Sequence, residues 1–123
     1  MLNQRQEFGK IGEELAVAYL KKKGYKIIEQ NYRNKLGEID IIAKDHKTLV
    51  FVEVKSRKSA RLGHPKEAVT YKKQRKISMV ALSYLKSTRQ LDTRARFDVV
   101  TISNINGQPR VEIFNNAFDL AYS

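Results

Sequence analysis

The stretch GEIDIIAKDHKTLVFVEVKSR, residues 37–57, holds two apolar runs of strand length joined by the polar loop KDHKT. Each run carries charged residues where an ordinary core strand carries Val or Ile. If residues 38–43 and 49–55 form a hairpin, side-chain alternation tests its register. Pairing Asp40 with Glu53 sets Glu38 opposite Lys55 and Ile42 opposite Phe51 on one face. The other face then reads Ile39–Val54, Ile41–Val52 and Ala43–Val50, apolar at every position. A slip by one residue would turn charges into the core, so this register is the expected one. The charges of the mixed face gather at the end where the first strand begins and the second finishes.

Directly opposed residues have Cβ atoms about 5 Å apart. Asp40 and Glu53 are then like charges in near contact, which is unfavourable unless a cation lies between them. Mg²⁺ takes carboxylate oxygens while keeping several waters, and it serves phosphodiester hydrolysis. Lys55, two residues beyond Glu53 and on the same face, is placed to orient a water or hold a phosphate. The plainer alternative is a solvated sheet face with a cross-strand Glu38–Lys55 ion pair, a kind of pair that contributes little. It does not account for Asp40 against Glu53 beside such apolar neighbours.

Outward from the hairpin, residues 3–23 have helical periodicity, with Gly24 as a natural stop after three lysines. One stripe is Phe8, Ile11, Leu15 and Tyr19; a second, of Ala16, Val17 and Leu20, lies roughly opposite, so this helix is expected to be buried on more than one side. Residues 25–32 read as a strand and 34–37 as a turn. Gly63 and Pro65 mark a loop before a second helix over residues 66–85, with Ile77, Val80, Ala81 and Tyr84 as its apolar stripe. Residues 96–103 (RFDVVTIS) form a strand, Asn106-Gly107 a hairpin turn, and residues 111–114 the last strand. The order is α-β-β-β-α-β-β, and a strand, long helix and strand in succession imply a parallel crossover and a mixed sheet.

Both helices carry polar residues where their inward stripes run out. The Leu20, Val17, Ala16 stripe continues to Glu13, and the Tyr84, Ala81, Ile77 stripe continues to Lys73, flanked by Thr70 and Gln74. Such a change suits a helix that leaves the core and borders a cleft. Glu13 is equally an ordinary acid near a helix N-terminus, as Glu14 is, and Lys72, Lys73 and Gln74 equally suit a solvated basic face.

The 123 residues suit one domain, and 41% hydrophobic with 30% charged residues is a globular composition. No window is apolar enough to span a bilayer and the N-terminus has no signal-like apolar region, so a cytoplasmic protein with no membrane partner is expected. The absence of Cys excludes disulfides and thiolate metal sites. Net charge is +11, and residues 55–76 carry nine Lys or Arg against Glu67 alone. Charge focused in this way suits a phosphate backbone. It names a partner class, nucleic acid, and no reaction.

The acid on one strand followed by E-x-K on the next, here Asp40 and then Glu53-Val54-Lys55, resembles the PD-(D/E)XK nuclease superfamily. The wider set (GEELA, NYR, GEIDIIA, LVFVEVKSR, KKQRKI and RFDVV) is similar to the YraN family of small bacterial proteins, themselves similar to Holliday-junction resolvases. The resemblance implies a restriction-endonuclease-like α/β fold, a mixed sheet flanked by helices in three layers. It implies Glu13, Asp40 and Glu53 as ligands of Mg²⁺ or Mn²⁺, Lys55 as the catalytic lysine and Gln74 as a polar active-site residue. The Pro-Asp of the superfamily's name is replaced by Ile39-Asp40, as is common in resolvase-like members.

The expectation is a metal-dependent endonuclease acting on structured or branched DNA, with backbone contacts from Arg33, Arg57, Lys58, Arg61, Lys66, Lys72, Lys73, Arg75 and Lys76. A non-catalytic nucleic-acid binder that keeps the fold, and an RNA-processing nuclease, are the alternatives. A homodimer would suit a symmetric junction. His46 and His64 read as surface turn residues, Asp98 as making a strand-end hydrogen bond or, less simply, supporting the active-site residues, Tyr32 and Arg33 as turn residues or contacts to phosphate or a base, and Asn115 and Asn116 as chain-terminal turn residues.

Overall fold

In a computed structural model, which describes residues 4–57, 69–105 and 107–118, the sheet is built around the quoted hairpin. The chain runs α1 (Gln4–Lys22), β1 (Lys26–Asn34), β2 (Gly37–Asp45), β3 (Thr48–Arg57), α2 (Tyr71–Ser87), β4 (Ala95–Ile105) and β5 (Gln108–Phe118). The five strands lie in sequence order. All neighbours are antiparallel except β3 and β4, which pair in parallel across α2. This is the expected mixed sheet flanked by helices, in the order α-β-β-β-α-β-β. No helix among the described residues is long and apolar enough to cross a membrane.

Alternation along the strands divides the core between the two helices. Phe51, Phe97 and Val99 point to α2 and pack with Ile77, Val80, Ala81 and Tyr84. Val50, Val52, Val100 and Ile102 point to α1 and pack with Ala16 and Leu20. Tyr84 stands edge-on to Tyr32 and to Phe51, with ring centroids 5.1 and 6.0 Å away, a preferred geometry for aromatic pairs. The first helix is buried on one side, not two. Ala16 and Leu20 are fully covered, whereas Ile11 of the other stripe is 53% exposed. The reason is that, among the described residues, α1 packs on one sheet face and no further layer covers its back.

The expected register of β2 and β3 is present for Ile41–Val52, Ile42–Phe51 and Ala43–Val50, and continues to Asp45–Thr48. It ends at Ile41–Val52, one step before Asp40 and Glu53. There the Val54 N–H donates to Asp40 Oδ2 at 2.8 Å, so a side chain replaces the backbone carbonyl and the strands part. β2 stays with β1 to Gly37, while β3 stays with β4 to Arg57. Two expected pairs are thereby corrected. Ile39 packs in the α2-side core rather than beside Ile41 opposite Val54, and Glu38 pairs with Arg33 rather than Lys55.

Two helix and strand limits also differ from expectation. α2 begins at Tyr71, because Thr70 is extended (φ −61°, ψ 156°) and its Oγ1 accepts the Lys73 N–H, an N-cap. The expected start at residue 66 lies outside the described residues. β5 runs on to Phe118, so Asn115 and Asn116 are strand residues and not a terminal turn. A register shift in the β4–β5 pairing turns them onto buried Asp98, which accepts from Asn115 Nδ2 at 2.9 Å and from Asn116 N at 3.0 Å.

Candidate functional site

The fork between β2 and β3 places Asp40 and Glu53 beside the first turn of α2. Glu53 is a mid-strand residue whose side chain is 7% exposed, and it pairs with Lys73 Nζ. Asp40 is held by the Val54 N–H. Burial, and after it the Glu53 carboxylate, pushes the Asp40 carboxyl up to about 7, although the Val54 N–H and Lys73 pull the other way. For Lys73, burial opposes the ammonium, but Glu53, Asp40 and Glu38 outweigh it and raise the pKa above the ordinary lysine value. The pair is thus a concentration of negative charge in a poorly solvated place, answered by one lysine and a backbone dipole.

Glu13 reaches this field from α1. Its pKa is raised by burial first and then by Asp40, against a hydrogen bond from the Asn31 side chain. Gly12 eases the approach: a Cβ there would lie 2.6 Å from Ser56 Oγ on β3, so a side chain would have to displace that hydroxyl or the helix. Among the described residues, no three carboxylate, histidine or cysteine side chains converge closely enough to hold a metal ion. The expected three-carboxylate set therefore resolves into a close pair, Asp40 and Glu53, with Glu13 near it. A two-carboxylate site still fits Mg²⁺, which is commonly held by one or two carboxylates and waters. The charge that Asp40 cannot comfortably carry is what a dication would relieve.

The other expected residues divide. Lys55 is half-buried, beside Thr101 in the parallel ladder, and makes no ion pair with Asp40 or Glu53 among the described residues. Gln74 donates its amide to the Val69 carbonyl at 2.8 Å, bracing the entry to α2 rather than facing the acids. Arg33 is held by Glu38 at 2.7 Å. Lys73, expected on the nucleic-acid face, sits on Glu53. Lys72, Arg75 and Lys76 are exposed on α2, and Arg57 ends β3. Lys58, Arg61, Lys66 and His64 lie outside the described residues. His46 is an exposed turn residue beside Asp45, as expected.

A cavity of about 360 Å³ opens from the acid pair. Its walls are the β1–β2 turn, residues 34–37, with Arg33 and Glu38 on one side and Lys73, Lys76 and Ile77 of α2 on the other. The Asn34 side-chain Oδ1 accepts the Leu36 N–H at 2.8 Å, while its buried Nδ2 has no hydrogen-bond partner among the described residues. Gly37, with φ +150°, lets the stem of Lys76 lie against the turn.

A cluster that sequence reasoning missed lies farther along β2. Arg96 donates to Asp98 at 3.1 Å, to Asp45 at 2.9 Å and to Tyr25 at 2.7 Å. Asp98 has 0% exposure and takes Arg96, Asn115 and Asn116 as donors. Its members come from β2, β4, β5 and the connection between α1 and β1, and no local spacing announces them. Only the pairing of a charge with apolar neighbours in RFDVV hinted at it.

A family model described as Uncharacterised protein family UPF0102 matches residues 12–102. UPF0102 proteins of Desulfosudis oleivorans and Geobacter metallireducens are 54% and 53% identical, over 97% and 95% of this chain and 95% and 96% of theirs. One from Syntrophus aciditrophicus is 50% identical over 98% of this chain and 95% of its own. Among solved structures, the Ca²⁺ complex of SfsA from Pyrococcus furiosus is similar at 15% identity and TM-score 0.40, over 90% of this chain and 62% of that one.

Proposed function

The chain belongs to the uncharacterised protein family UPF0102, and for it we propose a metal-dependent endonuclease acting on structured or branched DNA. The observation that carries this reading is the Asp40–Glu53 pair, forced together where the hairpin forks and opening onto a cavity edged by lysines and an arginine. Two acids held close at low exposure oppose the stability of the fold. Groups kept in so costly an arrangement are candidates for chemistry.

Asp40 and Glu53 would hold Mg²⁺ or Mn²⁺. When bound, the ion would supply Lewis-acid charge and a more acidic water for phosphodiester hydrolysis. Glu13 and its Asn31 partner would orient water at the edge of the pair. The Val54 N–H fixes the Asp40 carboxylate, and the depth of Glu53 keeps its oxygens from being fully hydrated. Lys72, Arg75 and Lys76 would contact the phosphate backbone, which positions a nucleic acid without reading its bases.

The decisive experiment offers purified protein with Mg²⁺ four-way junctions, flaps and plain duplex, with RNA as competitor. Cleavage of a branched substrate that Asp40→Asn abolishes is the expected result. Cleavage that prefers RNA would move the reading to an RNA-processing nuclease. Salt-sensitive binding without cleavage, unchanged in Asp40→Asn, would replace it with a non-catalytic binding protein.

A further inference from the structure

Lys73, and not Lys55, is the ammonium at the carboxylate pair. Its Nζ is on Glu53, and its backbone N–H is held by the Thr70 cap. We propose that Lys73 is the built-in counter-ion of the Asp40–Glu53 pair, that a divalent cation must displace it from Glu53, and that a phosphate of the nucleic acid in the adjoining cavity takes up the displaced ammonium. This inference rests on reading the pair as a metal site.

The two partners of the ion pair differ in their freedom to leave. The Glu53 side chain is 7% exposed and the Lys73 side chain 45%. Glu53 without a partner would be a charge buried alone, which is strongly unfavourable. Lys73 can swing into water along a flexible four-carbon stem at little solvation cost. It is therefore the mobile member. A dication on Glu53 replaces the lysine's partner and repels the ammonium as well, and both effects drive Lys73 the same way.

Outward from the pair is the cavity, with Lys35, Lys76 and Arg33 among its wall residues. Arg33 is engaged by Glu38, whereas Lys35 and Lys76 have no ion pair among the described residues. Release of Lys73 adds a third unpaired ammonium to this space. The cavity becomes most attractive to phosphate when the metal is bound. Metal and phosphate then bind cooperatively, and by linkage the coupling is reciprocal. Without nucleic acid, Lys73 holds the site against the metal; with it, the lysine has somewhere better to go.

The test is Mn²⁺ binding to the full chain, read from the free-ion electron paramagnetic resonance signal, with and without a short phosphorothioate oligonucleotide. Lys73→Met is expected to bind Mn²⁺ about tenfold more tightly than the unsubstituted protein when no oligonucleotide is present. The oligonucleotide should tighten Mn²⁺ binding severalfold in the unsubstituted protein and leave Lys73→Met unchanged. Lys73→Arg keeps the competing charge and should stay near the unsubstituted affinity. Lys72→Met removes the same charge one residue away and should change Mn²⁺ affinity less than twofold when no oligonucleotide is present. An unchanged or weaker Mn²⁺ affinity in Lys73→Met, or equal tightening in Lys72→Met, would overturn the inference. If the unsubstituted protein shows no Mn²⁺ binding that Asp40→Asn removes, the metal reading fails first and this inference with it.

Discussion

Asp40 Oδ2 accepts the backbone N–H of Val54 at 2.8 Å, just past the last ladder pair of the β2–β3 hairpin. One carboxylate thus does two things. It ends the hairpin by supplying the acceptor that a backbone carbonyl would otherwise provide, and it carries charge to the site that the fork creates. Because the fold depends on its oxygen and the chemistry on its charge, substitutions that separate the two have different consequences.

Asp40→Asn keeps an oxygen for Val54 and removes the charge; Asp40→Ala removes both. In the metal-free protein the Asp40 carboxyl is raised from 3.8 to about 7. Between those values the folded chain holds a proton that the unfolded chain has released, so this group makes stability fall as pH rises from about 4 to about 7. Urea unfolding in EDTA should therefore show Asp40→Asn equal to the unsubstituted protein near pH 4 and more stable near pH 8, by up to about 4 kcal/mol. Asp40→Ala should be less stable than Asp40→Asn by about 1–3 kcal/mol at both values, because the Val54 N–H is left unsatisfied. A difference between the unsubstituted protein and Asp40→Asn that is the same at both ends of the pH range would remove the case for a strained acid pair.

Gly37 is a packing position as well as a turn residue. A Cβ there would lie 3.3 Å from both Lys76 Cε and Val80 Cγ2, at φ +150°. Lys76 can move, but Val80 is fully buried, so the backbone must absorb the change. Gly37→Ala is expected to cost about 1–2 kcal/mol by urea denaturation and to weaken oligonucleotide binding by shifting Lys76. Full stability in Gly37→Ala would show that the turn is not braced against α2.

The hairpin register was legible because a period of two leaves one way to bury Ile41, Ala43, Val50 and Val52. Where the ladder stops was not legible. Alternation assumes backbone partners, and nothing local says that Asp40 will act as one; Ile39 was misplaced for that reason. Lys73 was visible as the end of the Tyr84, Ala81, Ile77 stripe, yet only the fold shows that Glu53 waits there. The start of α2 was overextended because Lys73, not Glu or Gln, follows Thr70 by three residues, so the sequence lacks the capping-box signature. The Tyr25, Asp45, Arg96, Asp98 and Asn115 cluster joins residues up to 90 positions apart, beyond the reach of any spacing rule.

Lys72, Arg75 and Lys76 stand exposed on α2 with no ion pair among the described residues. If they meet the phosphate backbone, each alanine substitution should weaken oligonucleotide binding regardless of base sequence. Each should also reduce the slope of log affinity against log salt by about 0.7–0.9. Fluorescence anisotropy over a range of salt concentrations measures both. A substitution that alters preference among sequences while leaving the slope intact would assign that residue to base contact.

Asp98 shares the Arg96 guanidinium with Asp45, which lies five residues along β2 from Asp40. It is fully buried and accepts from Arg96, Asn115 and Asn116, and Arg96 is only 18% exposed. Asp98→Ala would leave that guanidinium with Asp45 as its remaining acid and strand two amide donors, at a cost of about 3–5 kcal/mol. Asp45 adds a pH signature. Hydrogen bonds from Arg96 and then His46 lower its pKa, so its contribution is present above 3.8 and is lost as pH falls through the lowered value. Arg96→Met should reduce that acid sensitivity to the part that His46 sustains, and urea titrations from pH 5 downward test it. Mn²⁺ affinity of folded Asp98→Ala should equal that of the unsubstituted protein, since the cluster and the Asp40–Glu53 pair share no hydrogen bond or ion pair among the described residues. A loss of metal affinity in Asp98→Ala that exceeds its unfolded fraction would instead make this cluster part of what positions the fork.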